Sequence, residues 1–167
     1  HSLAGIEILG GAWDTGSNVV TVLVKPDKNV DASYIDDVRS AMAAWQRGIR
    51  NLNGTYEVYA GFELREVSSA PANIVVQLKK ASQFGSLGYA HVNIVDGKIT
   101  SVSIVLATKR ATGVLITHTA ARNIALHELG HALGLGHATS DSDLMGPTLD
   151  NEERETPLYP SSLDLST

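Results

Sequence analysis

Hydrophobic residues recur along this sequence at two spacings, one typical of helices and the other typical of strands. Residues 33–49 carry apolar side chains at helical spacing, which predicts a helix capped by Asp31 or Ser33. The apolar positions of this helix are Ile35, Val38, Met42, Trp45 and Ile49. A second helix is predicted over residues 118–134. Each of the two helices is long enough to pack across a sheet.

Five short segments with apolar or alternating patterns predict strands. They are residues 19–24, 62–67, 73–79, 88–95 and 98–107. Asp96-Gly97 separates the last two segments, and this pair is a strong signal for a tight hairpin turn. The order strand, helix, strands, helix predicts an α/β or α+β sheet with the helices packed on it.

Turn-forming residues mark the rest of the chain. The segment around Asn51-Leu52-Asn53-Gly54 is predicted to be rich in turns, and Gly, Pro, Asp and Ser crowd the chain after residue 137. A length of 167 residues fits one domain with a sizeable core. We therefore expect a single domain over 1–167, with an upper subdomain of about 1–137 and a small irregular lower subdomain of about 138–167.

The composition excludes several kinds of chemistry. There are no cysteines, which excludes disulfides, thiolate–zinc sites and a cysteine nucleophile. A net charge of −5 argues against nucleic acid as a partner, and the apolar runs are too short to span a membrane. No signal peptide is visible, although a secreted protein whose leader had been removed would look the same.

The negative charge is concentrated near the end of the chain. Seven of the 18 acidic residues lie within 138–167, whereas the rest of the chain is about neutral. The simplest interpretation of this acidic tail is a solvated surface. A calcium site and an electrostatic filter for substrates are the alternatives that the sequence leaves open.

Residues 127–137 read HELGHALGLGH and carry the strongest chemical signal. His127 and His131 are four residues apart on the predicted helix, so both imidazoles project from one face and can bind one metal ion at roughly 2.0–2.1 Å. Glu128 lies on the rim of the same face, where it can act as a general base without binding the metal. This spacing predicts a zinc site that activates water.

Gly134 and His137 extend the motif to a third ligand. Glycine tolerates the left-handed backbone that ends helices, so Gly134 offers an exit from which His137 can fold back onto the metal. Three protein ligands leave a position open for water, as a catalytic zinc requires. With 6 His and 15 Gly in the chain, a chance match to the five fixed positions is expected roughly once in 30,000 such sequences.

HELGHALGLGH resembles HExxHxxGxxH, the long zinc signature of the metzincin metallopeptidases. Met145 follows eight residues after His137 and resembles the methionine of the turn that lies beneath the zinc in that clan. Three stretches are most similar to the matrixins, the matrix metallopeptidase family. They are Leu144-Met145-Gly146-Pro147, Ala44-Trp45-Gln46 on the first helix, and Gly88-Tyr89-Ala90-His91 before the hairpin.

The resemblance implies a fold and an activity. The fold would be α+β and zincin-like, with a mixed twisted five-stranded sheet, an antiparallel edge strand, two main helices and a small irregular C-terminal subdomain below the cleft. The activity would be that of a zinc-dependent endopeptidase with one catalytic Zn²⁺, in which Glu128 activates a zinc-bound water that attacks the peptide bond. The family also implies an extracellular or cell-surface location, and we expect a monomer.

Substrate contacts are likewise implied by the resemblance. A protein or peptide substrate would lie extended and pair its backbone with the edge strand at Gly88, Tyr89 and Ala90. Pro147 and Leu149 would help to wall the pocket for the residue after the cleaved bond, and Leu115 would contribute from the other side.

Some positions depart from the matrixin pattern. Ala138 stands where matrixins usually have serine, and the predicted strand 98–107 has no histidine to join His91 in a second zinc site. Astacin-like enzymes carry a tyrosine at the position of Pro147, and the cysteine-rich metzincins require cysteines that are absent here. The main alternative function is a zinc-binding but catalytically idle or latent metzincin-like binding module.

Overall fold

A computed structural model describes residues 2–3, 6–8, 12–13, 19–52, 63–81, 86–138 and 158. Nine strands and two helices lie within these ranges. In chain order they are β1 (Ser2–Leu3), β2 (Ile6–Ile8), β3 (Ala12–Trp13), β4 (Val19–Pro26), α1 (Ser33–Leu52), β5 (Glu63–Val67), β6 (Ile74–Ala81), β7 (Gly88–Val95), β8 (Lys98–Lys109), α2 (His118–Ala132) and β9 (Leu135–Ala138).

The five longer strands form one mixed sheet in the order β7-β8-β6-β4-β5. Neighbouring strands from β8 to β5 run parallel, whereas β7 pairs antiparallel with β8. The two-residue β3 adds a sixth strand beside the start of β8. This arrangement confirms the predicted α+β fold with a mixed five-stranded sheet and an antiparallel edge strand.

The hairpin between β7 and β8 turns at the two residues that the sequence indicates. Asp96 has a φ of 52° and Gly97 a φ of 76°, and Val95 pairs with Lys98 across the turn. Positive φ at both central residues characterises the type I′ turn, whose twist matches that of the flanking strands. The turn sets the register of the edge strand on which the candidate site depends.

The core lies between one face of the sheet and the two helices. Ile74, Val76 and Leu78 of β6 are buried and the residues between them are half-buried, as expected when alternate side chains of a strand point to opposite faces. Trp45 of α1 is fully buried, and its indole Nε1 donates a hydrogen bond to the carbonyl oxygen of Leu126 on α2 at 2.8 Å. The next residue, Gln46, accepts a hydrogen bond from the backbone N of Leu64 at 2.7 Å. Adjacent side chains of α1 thus hold the second helix and the β5 edge of the sheet.

Two features differ from the expectations. Helix α1 continues through Leu52, so Asn51 and Leu52, which were predicted to belong to a turn-rich segment, are helical. Asn53 and Gly54 lie outside the described residues. A separate three-stranded sheet, β1-β2-β9, joins the N-terminal segment to the chain just after α2, and the sequence did not predict it. The predicted lower subdomain falls outside the described residues, except for Ala138 and Leu158.

No helix within the described ranges is long and apolar enough to cross a membrane.

An ion pair joins the beginnings of the two helices. His118 Nδ1 lies 2.6 Å from Asp37 Oδ2, and His118 Nε2 lies 3.4 Å from the hydroxyl of Ser33. Burial raises the pKa of the Asp37 carboxyl, and the hydrogen bond from His118 partly offsets this increase. Because its folded-state pKa exceeds the unfolded value, Asp37 favours folding more at acid pH, and that contribution is lost as pH rises through the folded-state pKa.

Replacing Asp37 with asparagine tests the direction of this pH dependence of stability. Asp37→Asn should change the free energy of unfolding by less than about 1 kcal/mol at neutral pH, since the pair is partly exposed. At acid pH, where protonated Asp37 adds to the stability of the wild-type protein, the variant should lack that added stability. Urea unfolding of both proteins across the acid-to-neutral range measures the difference. Stability curves that stay parallel over that whole range would show that Asp37 does not contribute in this way.

Candidate metal centre and active site

Helix α2 carries the candidate site, and its two ends are defined by particular residues. Thr117 caps the N-terminus, where its side chain accepts a hydrogen bond from the backbone N of Ala120 at 3.1 Å. The helix ends at Ala132, and Gly134 follows with a φ of 96° and donates its N–H to the carbonyl oxygen of His131 at 2.9 Å. The predicted exit from the helix at Gly134 is confirmed, because glycine adopts this left-handed conformation at little cost.

The structure brings His127, Glu128 and His131 together. Their potential ligand atoms all lie within 4.8 Å of one another. The two Nε2 atoms of the histidines are 3.1 Å apart, with their rings nearly perpendicular at 89°. Two nitrogen atoms that bind one tetrahedral zinc at about 2.0–2.1 Å lie roughly 3.3 Å apart. The spacing of these imidazoles therefore fits a shared metal ion.

The hydrogen bonding of His131 also fits a metal ligand. Its Nδ1 lies 2.7 Å from the carbonyl oxygen of Leu135, which can only accept a hydrogen bond. Nδ1 therefore carries a proton, and in the neutral imidazole the lone pair that can bind a cation is then on Nε2, the atom that lies 3.1 Å from His127 Nε2. A carbonyl that orients the far nitrogen of a histidine in this way is the usual arrangement around metal-bound imidazoles.

Glu128 is almost completely buried beside the two histidines. It is 1% exposed, and its Oε1 lies 3.9 Å from Nε2 of His127. Burying an ionised carboxylate is costly unless cations and hydrogen-bond donors compensate it. A divalent cation held by the neighbouring imidazoles would supply that compensation, so the donor set as a whole is suited to zinc.

Several predicted site residues cannot be placed from the described part of the chain. His137 belongs to β9, so its backbone follows directly after the end of α2, but its side chain lies outside the described residues. Met145, Pro147 and Leu149 also lie outside them. The third zinc ligand, the methionine turn and that wall of the substrate pocket stay predictions.

The predicted substrate-binding residues of β7 lie next to the histidines. Ala90 is half-buried, and together with Val92, Ile94 and His131 it lines an open groove of about 310 Å³. Tyr89 points away from the core with 58% of its surface exposed. Within the described residues β7 pairs with β8 alone, so its other edge can accept an extended peptide.

Leu115 lies farther along the chain, just before α2. It is 54% exposed and is joined to Lys109 by an isolated β-bridge. Its side chain is therefore available to a bound molecule rather than used in the core.

The other described histidines make ordinary polar contacts. His91 Nε2 lies 3.0 Å from the side-chain oxygen of Asn93, and His118 makes the ion pair with Asp37. Over the described ranges, the His127, Glu128 and His131 group is the one cluster with three close potential metal ligands.

Sequence reasoning missed the polar residues that attach other segments to α2. Asn123 is fully buried, and its side-chain oxygen accepts a hydrogen bond from the backbone N of Leu158 at 2.8 Å. Arg122 donates to the carbonyl oxygen of Leu158 at 2.8 Å, and Trp13 Nε1 donates to the carbonyl oxygen of Ala132 at 2.6 Å. An asparagine among the apolar positions of α2 was the one signal that could have indicated such a contact.

Comparison with known proteins gives a match to one family. The family model of the matrixin peptidases matches residues 12–163, which is most of the chain. Among curated proteins, no significant match to this sequence is found. The matched region includes the sheet from β3 onward, both helices and the whole HELGHALGLGH motif. The chain therefore belongs to the matrixin family, whose members are metallopeptidases of the zinc-dependent type.

Proposed function

We propose that this protein is an active zinc-dependent endopeptidase that cleaves protein or peptide substrates. The observation that carries the proposal is the position of Glu128, a buried carboxylate beside two imidazoles whose Nε2 atoms lie 3.1 Å apart. His127, His131 and His137 would hold the zinc. Retention of the glutamate favours an enzyme over an idle zinc-binding module, because zinc binding alone does not require it.

Zinc bound by the histidines would supply Lewis-acid chemistry, which lowers the pKa of water from about 15.7 to about 7 and polarises a carbonyl. Glu128 would accept the proton of the attacking water at a carboxylate oxygen, and would then deliver that proton to the departing amine. The hydrogen bond from His131 Nδ1 to Leu135 would keep that imidazole in one orientation throughout. Glu128, which would transfer the proton, and His131, which the hydrogen bond to Leu135 would orient, are both described side chains of α2.

The substrate would bind as an additional strand on the free edge of β7. Backbone pairing there requires no particular side chain, which suits a protein substrate in extended conformation. The groove lined by Ala90, Val92, Ile94 and His131 is apolar apart from the histidine, and it would take an apolar substrate side chain. Gly88 and Tyr89 would lie along the same path, with Leu115, Pro147 and Leu149 at the pocket for the residue after the cleaved bond.

We further propose that the protein acts as a monomer outside the cell or at the cell surface, as matrixins generally do. The net charge of −5 is unfavourable for nucleic acid binding. A calcium ion bound by the acidic tail would be a second cofactor. The acidic residues of that tail lie outside the described residues, so no described contact supports such a site.

Removal of the metal provides the direct test. Treatment with ortho-phenanthroline should abolish cleavage of a quenched fluorescent peptide, and addition of zinc should restore it, because the histidines can lose the metal reversibly. The non-chelating meta isomer is the matched control and should leave the rate unchanged. Metal analysis that finds stoichiometric zinc in a protein that cleaves neither casein nor mixed peptides would favour the idle binding module instead.

A further inference from the structure

The start of the edge strand packs directly on the proposed general base. Gly88 is buried, and a Cβ added to it would lie 2.5 Å from Ile124 Cγ2, 3.2 Å from Glu128 Cγ and 3.4 Å from Glu128 Oε1. The φ angle of Gly88 is not positive, so the backbone conformation alone would accept other residues. Glycine is needed at this position for space, because any side chain would press on α2.

Strand β7 cannot easily move away from the helix. Gly88 pairs with Leu106 in an antiparallel ladder that continues to Val95, and the backbone N of Ala107 donates to the carbonyl oxygen of Leu87 at 2.9 Å. The hydroxyl of Ser86 also donates to the carbonyl oxygen of Gly88. Shifting the strand would therefore strain several hydrogen bonds at once.

Helix α2 is held equally firmly from its other side. The indole of Trp45 donates to Leu126, the backbone position just before the first histidine of the motif. Ile124 and Glu128 are each 1% exposed, so both side chains are packed against their neighbours rather than open to solvent. A new methyl group at position 88 would then be accommodated mainly by rotation of these two side chains.

We propose that Gly88 is a positioning residue, which sets the distance between the carboxylate of Glu128 and the strand that holds the substrate. This inference rests on the proposed function, since the position of Glu128 matters to the rate only if it transfers protons. The absent side chain leaves the space beside the strand that the Glu128 side chain occupies. The contact at 3.2 Å would require the Glu128 side chain to shift by a few tenths of an ångström. A displacement of about 1 Å in a reacting group can lower a rate by about 100-fold, so a smaller shift should lower it by about 10-fold or less.

Gly88→Ala tests the proposal through the separation of kcat from KM. We expect kcat for a quenched peptide to fall by about 3- to 10-fold, whereas KM changes by less than about twofold, because the edge of β7 still pairs with the substrate. Zinc content should stay stoichiometric. A crystal structure of the variant should show the Glu128 carboxylate displaced, a result that does not depend on activity.

Gly97→Ala is the matched control at the other end of the same hairpin. Its added Cβ meets nothing within 4 Å, while its φ of 76° makes alanine strained. This variant should lower the Tm by a few degrees and leave kcat unchanged. If kcat falls in both variants alike, the loss comes from a weakened hairpin and the positioning role is wrong.

A second comparison separates the contact with Glu128 from the contact with Ile124. In an Ile124→Ala background the nearest clashing atom is gone, so adding Gly88→Ala should leave the Tm unchanged or higher. The proposal expects kcat to fall again in this background, because Glu128 is still pressed. An unchanged kcat there would assign the whole effect to Ile124 and overturn the proposal.

Glu128→Gln, measured beside these variants, distinguishes a failure of the positioning role of Gly88 from a failure of the proposed function. If Glu128→Gln is inactive and Gly88→Ala is as active as the wild-type protein, the proposed function stands and the positioning role fails. If Glu128→Gln cleaves as fast as the wild-type protein, the proposed function fails, and with it the catalytic role of Gly88.

Discussion

Replacing Glu128 with glutamine should lower kcat for peptide hydrolysis by about 10²- to 10⁴-fold, the range attributed to general acid–base catalysis. Glutamine has nearly the same shape but cannot take the proton from water. The side chain is 1% exposed and lies against Gly88, so an amide of the same size fits without rearranging β7. Initial rates with a quenched peptide, measured at saturating substrate, report the loss.

Two controls accompany the Glu128 variant. Zinc content should be the same as in the wild-type protein, because the histidines rather than the glutamate are expected to hold the metal. Glu66→Gln removes a carboxylate at the opposite edge of the sheet, where Glu66 pairs with Arg39 at 2.9 Å, and should not change the rate. If the zinc-bound Glu128→Gln variant cleaves the peptide as fast as the wild-type protein, the proposed mechanism is wrong.

The largest loss of stability is expected from Trp45→Ala, which should lower the free energy of unfolding by about 3–5 kcal/mol. Trp45 is 0% exposed and belongs to the central core cluster, so alanine would leave a large cavity between α1 and α2. The variant also loses the hydrogen bond to Leu126. Denaturant unfolding of the zinc-loaded proteins, followed by circular dichroism, measures the change.

Trp45→Phe serves as the matched variant, because it keeps most of the apolar volume and removes the indole N–H. Its loss should be smaller than that of Trp45→Ala, and the difference between the two separates packing from hydrogen bonding. A loss of less than about 1 kcal/mol for Trp45→Ala would contradict the packing described for the two helices.

Much of the fold could be predicted because its longer elements have clear periodicity. The apolar spacing of α1 and the alternation in β6 each require a particular face to be buried, whatever the partner. The turn at Asp96-Gly97 is determined by local backbone preferences, so it could be predicted without the rest of the chain. Helix α1 was predicted to end at residue 49 but ends at Leu52, because helix ends depend on weak local preferences.

The short strands could not be predicted in this way. Strands β1, β2 and β3 contain two or three residues each, too few to show any alternation. They are defined by their pairing alone: β1 with β2, β2 with β9 and β3 with β8. The contact between Gly88 and Glu128 was hidden for a related reason. It joins residues 40 positions apart, and a buried glycine leaves no hydrophobic signal in the sequence.

The candidate site likewise combines features that the sequence predicts with contacts that it does not. The spacing of His127, Glu128 and His131 follows from helix geometry alone, and the structure brings their ligand atoms within 4.8 Å. The acceptor for His131 Nδ1 is a backbone carbonyl, that of Leu135, and no residue type encodes it. Such contacts depend on the path of the main chain after the helix, which a motif indicates only through Gly134.

The backbone conformation of Gly134 affects the surroundings of two of the motif's histidines. The φ of 96° at Gly134 turns the chain so that the carbonyl of Leu135 meets His131, and the same turn leads into β9, the strand that contains His137. A residue with a side chain at position 134 would strain the turn that places the Leu135 carbonyl against His131 Nδ1 and that precedes His137 in the chain. Tolerance to change at this position is therefore limited by the backbone conformation that glycine adopts at little cost.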